Sequence, residues 1–379
     1  MARSAAGKRK RTRKVRVGPL FLGGGEPVRV QSMTKVPLEN RGATLRQVRR
    51  LEREGCEIVR VAVPNREAVG ALEHLRSRTD VPLVADIHFD HRLAIMSMEA
   101  GADKVRINPG NIGGPKKLGL VAKRAAEAGC SLRIGVNAGS LEKALLRHHG
   151  GPTPEALVAS AGAAVKVVEE AGFRDIVLSL KASSVSATIE AYRLASRRFR
   201  YPLHLGVTEA GWGLSGIVKS AIGIGALVAD GIGDTLRVSL TDPPWKEVKV
   251  AYEILGALGL RRRGVEIISC PTCGRCGYDL KKTASAVQKL LAEVEDPLTV
   301  AVMGCAVNGP GEAREADIGL AGGKGKGVIF RRGKVLKTVN ESEMIQSLEE
   351  TVLREIRERA GGTHSKAGKR ADSSSEGGE

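Results

Sequence analysis

Aromatic residues are scarce in this 379-residue chain: they make up 3% of it, as two Trp, four Tyr and five Phe. Apolar residues still make up 42%, so a sizeable core must be built from Val, Ile, Leu and Ala. That composition suits parallel sheets covered by helices. Long hydrophobic runs are also missing. The longest clean stretch, residues 221–229, is punctuated by glycines and falls far short of a membrane span. No apolar segment follows the basic N-terminus, which argues against a secretory signal, and the expectation is a soluble, cytoplasmic protein with no membrane partner. Acidic residues are absent from residues 1–16, which carry eight Lys or Arg, among them Lys8-Arg9-Lys10-Arg11. Such a run resembles a nucleic-acid or localisation patch. It lacks the interleaved aromatics that stack on bases, so residues 1–14 are expected to be a disordered, solvated basic tail, and nucleic acid is not the expected partner. The net charge is +18, and the +10 outside that segment suits anionic substrates and acidic protein partners.

Cysteines are few and unevenly placed: six in all, four of them between residues 270 and 305. In a cytoplasmic setting such clustering argues for metal binding over disulfides. Cys56 and Cys130 each stand alone before a strand pattern and read as small buried hydrophobes.

Short β-branched runs recur at 28–34, 58–64, 82–88, 104–110, 131–137, 175–181, 202–208 and 235–240. Helical patterns rich in Ala, Leu, Glu, Lys and Arg lie between them. Several end alike, at Glu54-Gly55, Ala100-Gly101, Ala128-Gly129 and Ala171-Gly172, with glycine as the helix stop. Eight such units predict an α/β fold, a (β/α)₈ TIM-like barrel over residues 15–260. An open doubly wound sheet is the alternative, disfavoured by the lack of a Gly-rich phosphate fingerprint. Residues 15–22, followed by three glycines, suggest a hairpin that could plug the N-terminal mouth of the barrel. A smaller α+β domain is expected over 261–359. It has strands at 265–270 and 298–303 and a helix on Ala284, Val287, Leu290, Leu291 and Val294. A hairpin at 328–339 turns at Arg332-Gly333, and a final helix is striped by Met344, Leu348, Val352 and Ile356. Residues 360–379 read as a second disordered tail.

Barrel enzymes carry their sites at the C-terminal ends of the strands. Here those ends supply Gln31, Ser32, Thr34, Arg60, Asp86, His88, Arg106, Asn108, Arg133, Asn137, Ser179, Lys181, Thr208, Glu209, Arg237 and Ser239. Several cations on one rim repel one another, by about 1–4 kcal/mol per close pair. A multiply charged anion would offset that repulsion, and a diphosphate fits because arginine forks match phosphate oxygens. The alternative pairs the cations with Asp86, Glu209 and neighbouring acids as structural salt bridges. Glu209 directly follows a strand, and a general-acid role there would need partial burial or a proton delivered during turnover. His88 and His204 read as hydrogen-bonded structural residues.

The second domain carries Cys270-Pro271-Thr272-Cys273-Gly274-Arg275-Cys276, then Cys305 in Gly304-Cys305-Ala306-Val307-Asn308-Gly309-Pro310-Gly311-Glu312. Cys-x₂-Cys-x₂-Cys is a tight three-thiolate loop of the ferredoxin kind, which favours an iron–sulfur cluster. Tetrahedral zinc is the alternative, although a second Cys-x₂-Cys knuckle is missing.

Together with Val30-Gln31-Ser32-Met33-Thr34, Val59-Arg60-Val61-Ala62-Val63-Pro64 and Val105-Arg106-Ile107-Asn108-Pro109-Gly110-Asn111-Ile112-Gly113, these motifs carry a resemblance. From about residue 14 to residue 359, the chain resembles the 4-hydroxy-3-methylbut-2-enyl diphosphate synthase family, in its shorter bacterial form. The resemblance implies an oxidoreductase acting on CH or CH₂ groups in non-mevalonate isoprenoid biosynthesis. The reaction would be the reductive ring opening and dehydration of 2-C-methyl-D-erythritol 2,4-cyclodiphosphate. The two electrons would come from reduced flavodoxin or ferredoxin through one [4Fe–4S] cluster per chain. By resemblance, Cys270, Cys273, Cys305 and Glu312 hold the cluster, and Arg60, Arg106, Arg133 and Lys181 clamp the diphosphate. Asn137, Thr208 and Ser239 lie nearby, Glu209 donates a proton, and the enzyme is a homodimer. A carboxylate is a weaker, harder ligand than thiolate, which leaves one iron open to exchange. Cys276 is an extra thiol that the family pattern leaves as a bystander. Two other classes stay open: a barrel transferase of the pterin type with a zinc domain, and a nucleic-acid binder led by the basic tail.

Overall fold

Each of the eight strand-forming runs of the first 240 residues is a strand in the computed structural model. The structure describes residues 9–182, 184–305, 311 and 313–368. The barrel strands are β3 (Arg29–Met33), β4 (Ile58–Ala62), β5 (Leu83–Asp86), β6 (Lys104–Ile107), β7 (Ser131–Asn137), β8 (Ile176–Lys181), β9 (His204–Leu205) and β10 (Thr235–Leu236). They run parallel in the order β8-β7-β6-β5-β4-β3-β10-β9. A parallel bridge between Leu178 and Leu203 joins the two ends and closes the circle; Leu178 N–H donates to Pro202 O at 2.9 Å. The last two strands are shorter than their sequence runs, and residues 206–209 and 237–240 leave the ladder as rim.

Helices return the chain between strands: α1 (Arg41–Arg53), α2 (Arg66–Arg76), α3 (His91–Glu99), α4 (Pro115–Ala128), α5 (Lys143–His149), α6 (Pro154–Glu170), α7 (Val185–Arg198), α8 (Gly213–Ala229) and α9 (Pro244–Ala257). Their starts are written in side chains that accept from the first-turn amides: Asn40, Asn65, Asp90, Thr153 and Ser184. Each such cap contributes about 1 kcal/mol. The stops at Gly55, Gly101, Gly129 and Gly172 all take positive φ, between 61° and 90°.

Strand alternation then sorts the side chains. Val59, Val61, Val105, Ile107, Leu132, Ile134, Leu178 and Leu180 face the helices in the main core. Ile58, Val84 and Val177 face inward, where they pack on Val15, Val17 and Leu22 of an antiparallel hairpin, β1 (Val15–Val17) and β2 (Leu20–Leu22). This apolar cluster is the expected plug, set at the N-terminal ends of the strands.

Residues 9–14 depart from the expected tail. Lys10 N–H donates to Gly231 O at 2.9 Å and Arg13 N–H to Arg200 O at 2.6 Å. Arg9 and Thr12 reach the buried Asp234 carboxylate at 3.2 and 3.0 Å. A carboxylate out of water needs donors, and composition alone does not reveal that demand.

The chain divides into Met1–Arg262 and Arg263–Glu379. The second unit is a five-stranded mixed sheet of β11 (Val265–Ser269), β12 (Leu298–Met303), β13 (Ile318–Gly322), β14 (Lys326–Arg331) and β15 (Lys334–Asn340), in that order. The first three strands are parallel and the rest antiparallel. Helices α10 (Leu280–Leu290) and α11 (Met344–Gly368) cover it, with Leu280, Val287, Met344, Leu348 and Val352 in its core. Strand β13 has no counterpart in the sequence pattern. Its glycines hide it: a Cβ on Gly319 would fall 2.0 Å from the Phe330 ring, so the ring takes the place of a side chain. Leu290, placed on the buried helix face by spacing, is exposed. Helix α11 runs into the stretch after residue 360 that composition assigns to a tail. Among the described residues, no helix is long and apolar enough to cross a membrane.

Candidate active site

The inward side chains of the barrel change character toward the C-terminal ends of the strands. Above Ile58, Val84 and Val177 come Arg60, Asp86, Arg106, Arg133 and Ser179, then His88, Asn137, Lys181, Thr208 and Ser239. A cavity of about 220 Å³ is lined by Arg60, His88, Arg106, Arg133, Asn137, Ser179, Lys181, Thr208, Glu209, Arg237 and Ser239. All eight barrel residues singled out from sequence border it. His88, Ser179 and Arg237 join them; sequence reads His88 as a hydrogen-bonded structural residue and places Ser179 and Arg237 at the rim without a role. The missing signal for Arg237 was register, since it sits two positions before Ser239 and shares its face.

Two carboxylates organise most of the cations. Asp86 is 4% exposed and sits 2.5 Å from Arg60 Nη2, 3.2 Å from Arg106 Nη1 and 3.2 Å from His88 Nε2. Burial alone would raise its pKa, but Arg60, the His88 hydrogen bond and Arg106 together hold it well below the usual carboxylate range. Glu247, on α9, takes Arg237 at 3.3 Å, Lys35 at 3.1 Å and the Ser32 hydroxyl at 2.9 Å. Structural pairing therefore accounts for Arg60, Arg106 and Arg237.

It does not account for Arg133 or Lys181. Arg133 is 1% exposed, and its Nε and Nη1 have no hydrogen-bond partner among the described residues. Burial, then Arg60 and Arg106, push its pKa well below the ordinary arginine value. Lys181 is pushed down likewise, by burial and then by Arg133 and Arg237. Buried cations held apart from acids are costly unless an anion joins them. Glu209 makes no ion pair among the described residues, and its backbone is left-handed at φ 54°. A non-glycine residue pays for that conformation, and such strain gathers at functional sites.

The thiols of the second unit stand on adjacent segments. Strands β11 and β12 are parallel neighbours, so Cys270 and Gly304-Cys305 leave the sheet at one end. Gly304 N–H donates to Cys270 Sγ at 3.3 Å. A Cβ on Gly304 would lie 2.8 Å from Cys276 Sγ and 3.4 Å from Cys270 Sγ, so both thiols turn toward this glycine. The Cys276 thiol donates to Tyr278 O at 3.2 Å. Cys273 is exposed and Cys305 half-buried. No three metal-binding side chains among the described residues are gathered closely enough to hold an ion as they stand, and Glu312 lies outside those residues. Soft thiol donors with a backbone N–H already aimed at one sulfur suit an iron–sulfur cluster.

A family profile described as the GcpE TIM-barrel domain matches residues 12–252, and one described as the GcpE protein C-terminal domain matches residues 266–354. The chain is 54% identical over 350 residues to a protein of Caldanaerobacter subterraneus subsp. tengcongensis named 4-hydroxy-3-methylbut-2-en-1-yl diphosphate synthase (flavodoxin). That alignment covers 92% of this chain and 99% of the relative. A protein of the same name from Geobacter sulfurreducens is 53% identical over 338 residues, covering 89% and 96%. Among solved structures, the dihydropteroate synthase of Yersinia pestis superposes with a TM-score of 0.48 at 14% identity, over 65% of this chain and 98% of that one. A likeness at that level bears on nothing further.

Proposed function

The chain belongs to the GcpE family, and from that premise we infer that it catalyses the two-electron reductive ring opening of 2-C-methyl-D-erythritol 2,4-cyclodiphosphate. The products are 4-hydroxy-3-methylbut-2-enyl diphosphate and water. The observation that carries this reading is the pair of buried cations, Arg133 and Lys181, neither of which forms an ion pair among the described residues, with Arg133 Nε and Nη1 also lacking a hydrogen-bond partner there. Their unmet charge matches a dianionic substrate.

The residues divide the work. Arg133 and Lys181 take the diphosphate oxygens directly, in a low-dielectric cavity where each contact is strong. Asp86 holds Arg60 and Arg106 in fixed orientation, so that little reorganisation accompanies binding. Asn137, Thr208 and Ser239 supply neutral hydrogen bonds beside them. Glu209, on the rim loop after β9, delivers the proton that lets the departing hydroxyl leave as water. Cys270, Cys273 and Cys305, with Glu312, would hold a [4Fe–4S] cluster, which supplies electrons singly when bound. Reduced flavodoxin or ferredoxin is the proposed donor, in the cytoplasm. A homodimer is the proposed assembly, supported by an apolar stripe on α8 where Leu214, Val218 and Ile222 are 77%, 44% and 54% exposed.

Anaerobic purification with iron, sulfide and zinc analysis tests the cofactor, and turnover of the cyclic diphosphate with reduced flavodoxin tests the reaction. About four irons and four sulfides per chain are expected. Stoichiometric zinc without sulfide would sink the reading.

A further inference from the structure

Beneath the cavity lies a second polar layer that phosphate contacts leave unexplained. Lys104 precedes Arg106 by two positions on β6 and shares its inward face; it stands in register with Val84 and Ser131. His204 on β9 and Thr235 on β10 are paired neighbours in the same interior. All three are 0% exposed. The amine of Lys104, both ring nitrogens of His204 and the Thr235 hydroxyl have no hydrogen-bond partner among the described residues. At the N-terminal ends of the strands, Val15, Val17 and Leu22 of the hairpin plug pack on Ile58, Val84 and Val177 as an apolar cluster.

A fully buried lysine without a partner is expensive as an ammonium and cheap as an amine. Its surroundings decide how near it stands to the change. Arg60 on β4 and Arg133 on β7 oppose a proton on Lys104, while Asp103, just before β6, favours one; the Cys130 thiol, just before β7, is itself pushed up to about 12 by burial and stays uncharged. Asp86 of β5 stands one inward step higher, already engaged with Arg60 and Arg106. Burial first, then Arg133, bring Lys104 down to about 7. His204 faces Arg133, Lys181, Lys104 and Arg60, and burial with these neighbours holds it well below the ordinary histidine range, so it is the poorer acceptor.

We propose that Lys104 is a proton-accepting floor of the diphosphate cavity, a neutral amine when the cavity is empty and an ammonium once a dianion lies on Arg133. The lone pair on Nζ takes one proton from solvent, and the complex gains one positive charge. The clamp thus carries its full charge only when filled. This spares the empty barrel a further buried cation and ties affinity to pH. The inference rests on reading the cavity as the diphosphate site.

The test is calorimetric binding of the cyclic diphosphate to oxidised holoenzyme, where no turnover occurs, in buffers of different ionisation enthalpy. Each phosphorus of this substrate bears a single strongly acidic hydroxyl. Its charge is therefore fixed across neutral pH, and any proton taken up belongs to the protein. At pH 8 the native enzyme should take up most of a proton per site, and its affinity should fall about tenfold from pH 7 to 8.5. Lys104→Met should bind with almost no uptake and a flat pH profile. Binding without uptake in the native enzyme, or undiminished uptake in Lys104→Met, would overturn the proposal. Should Lys104→Met fail to fold, Lys104→Gln takes its place with the same loss of uptake expected, and uptake lost instead in His88→Asn would assign the proton to the cavity imidazole and overturn the proposal. If Arg133→Met binds the substrate as tightly as the native enzyme, the assignment of the cavity falls, and this inference with it.

Discussion

The barrel cavity and the cysteine loop gather their side chains by different means. In the barrel, each cavity residue from a strand sits at an inward position, and the closed circle of backbone hydrogen bonds fixes where it points. Arg60, Asp86, Arg106 and Arg133 are each no more than 9% exposed, and the carboxylate already lies between two of the arginines. In the second unit the thiols hang from loops. Cys273 is exposed, Thr272 beside it is drawn to φ 20°, and the Cys270 and Cys276 sulfurs share a neighbour, Gly304, rather than a centre. One site is set before its ligand arrives. The other is a set of donors that a metal cluster would draw together, so that binding there is partly folding.

That contrast can be broken by experiment. Removing the cluster should abolish turnover and lower amide protection around residues 270–276 and 304–305 while the barrel strands keep theirs; hydrogen exchange on apo and holo protein reads this, and equal loss in both units would erase the distinction. Glu209→Gln should retain cluster absorbance and substrate affinity while turnover drops about 10²–10⁴-fold. Normal rates would remove Glu209 from the proton step. Arg133→Met should weaken substrate binding about 10²-fold, in line with removing one partner of a buried charge contact, with the iron content unchanged. Asp86→Asn should destabilise the protein by about 3 kcal/mol in chemical denaturation, because it leaves buried guanidinium groups uncompensated. The sign with pH follows: a carboxyl whose folded pKa is depressed contributes stability that is present above its unfolded value, about 3.9, and is lost as pH falls below it. The variant should therefore lose less stability than the native protein on acidification. The smallest effect belongs to Cys276→Ser, which should keep cluster and activity within about twofold; loss of iron would make this thiol a ligand and cost the family pattern its fit here.

Much of the cavity was legible because a parallel barrel converts sequence parity into direction. Once eight runs are recognised, the polar residues at their C-terminal ends must meet. Parity also hid Lys104, whose place at the start of its strand looks unremarkable until register shows it beneath Arg133. Arg237 went unassigned because its partner, Glu247, comes from a helix ten residues later, and charge spacing along a strand says nothing about that. Strand β13 escaped because glycine under Phe330 carries no hydrophobic signal. Residues 9–14 looked like tail because their anchor, Asp234, is more than two hundred residues away. The three cysteines were visible as a motif, whereas Glu312 falls outside the described residues, and its role rests on resemblance alone.

Val15, Val17 and Leu22 make this barrel a cup rather than a pipe. Traffic through a cup is single-file in time: substrate, product and the released water share one mouth. The spent diphosphate must vacate before the next arrives. Anything that slows its departure, including a clamp that holds anions well, slows every later cycle. Tight binding and rapid turnover are thus set against each other by a three-residue hairpin strand and its partner at the far end of the barrel.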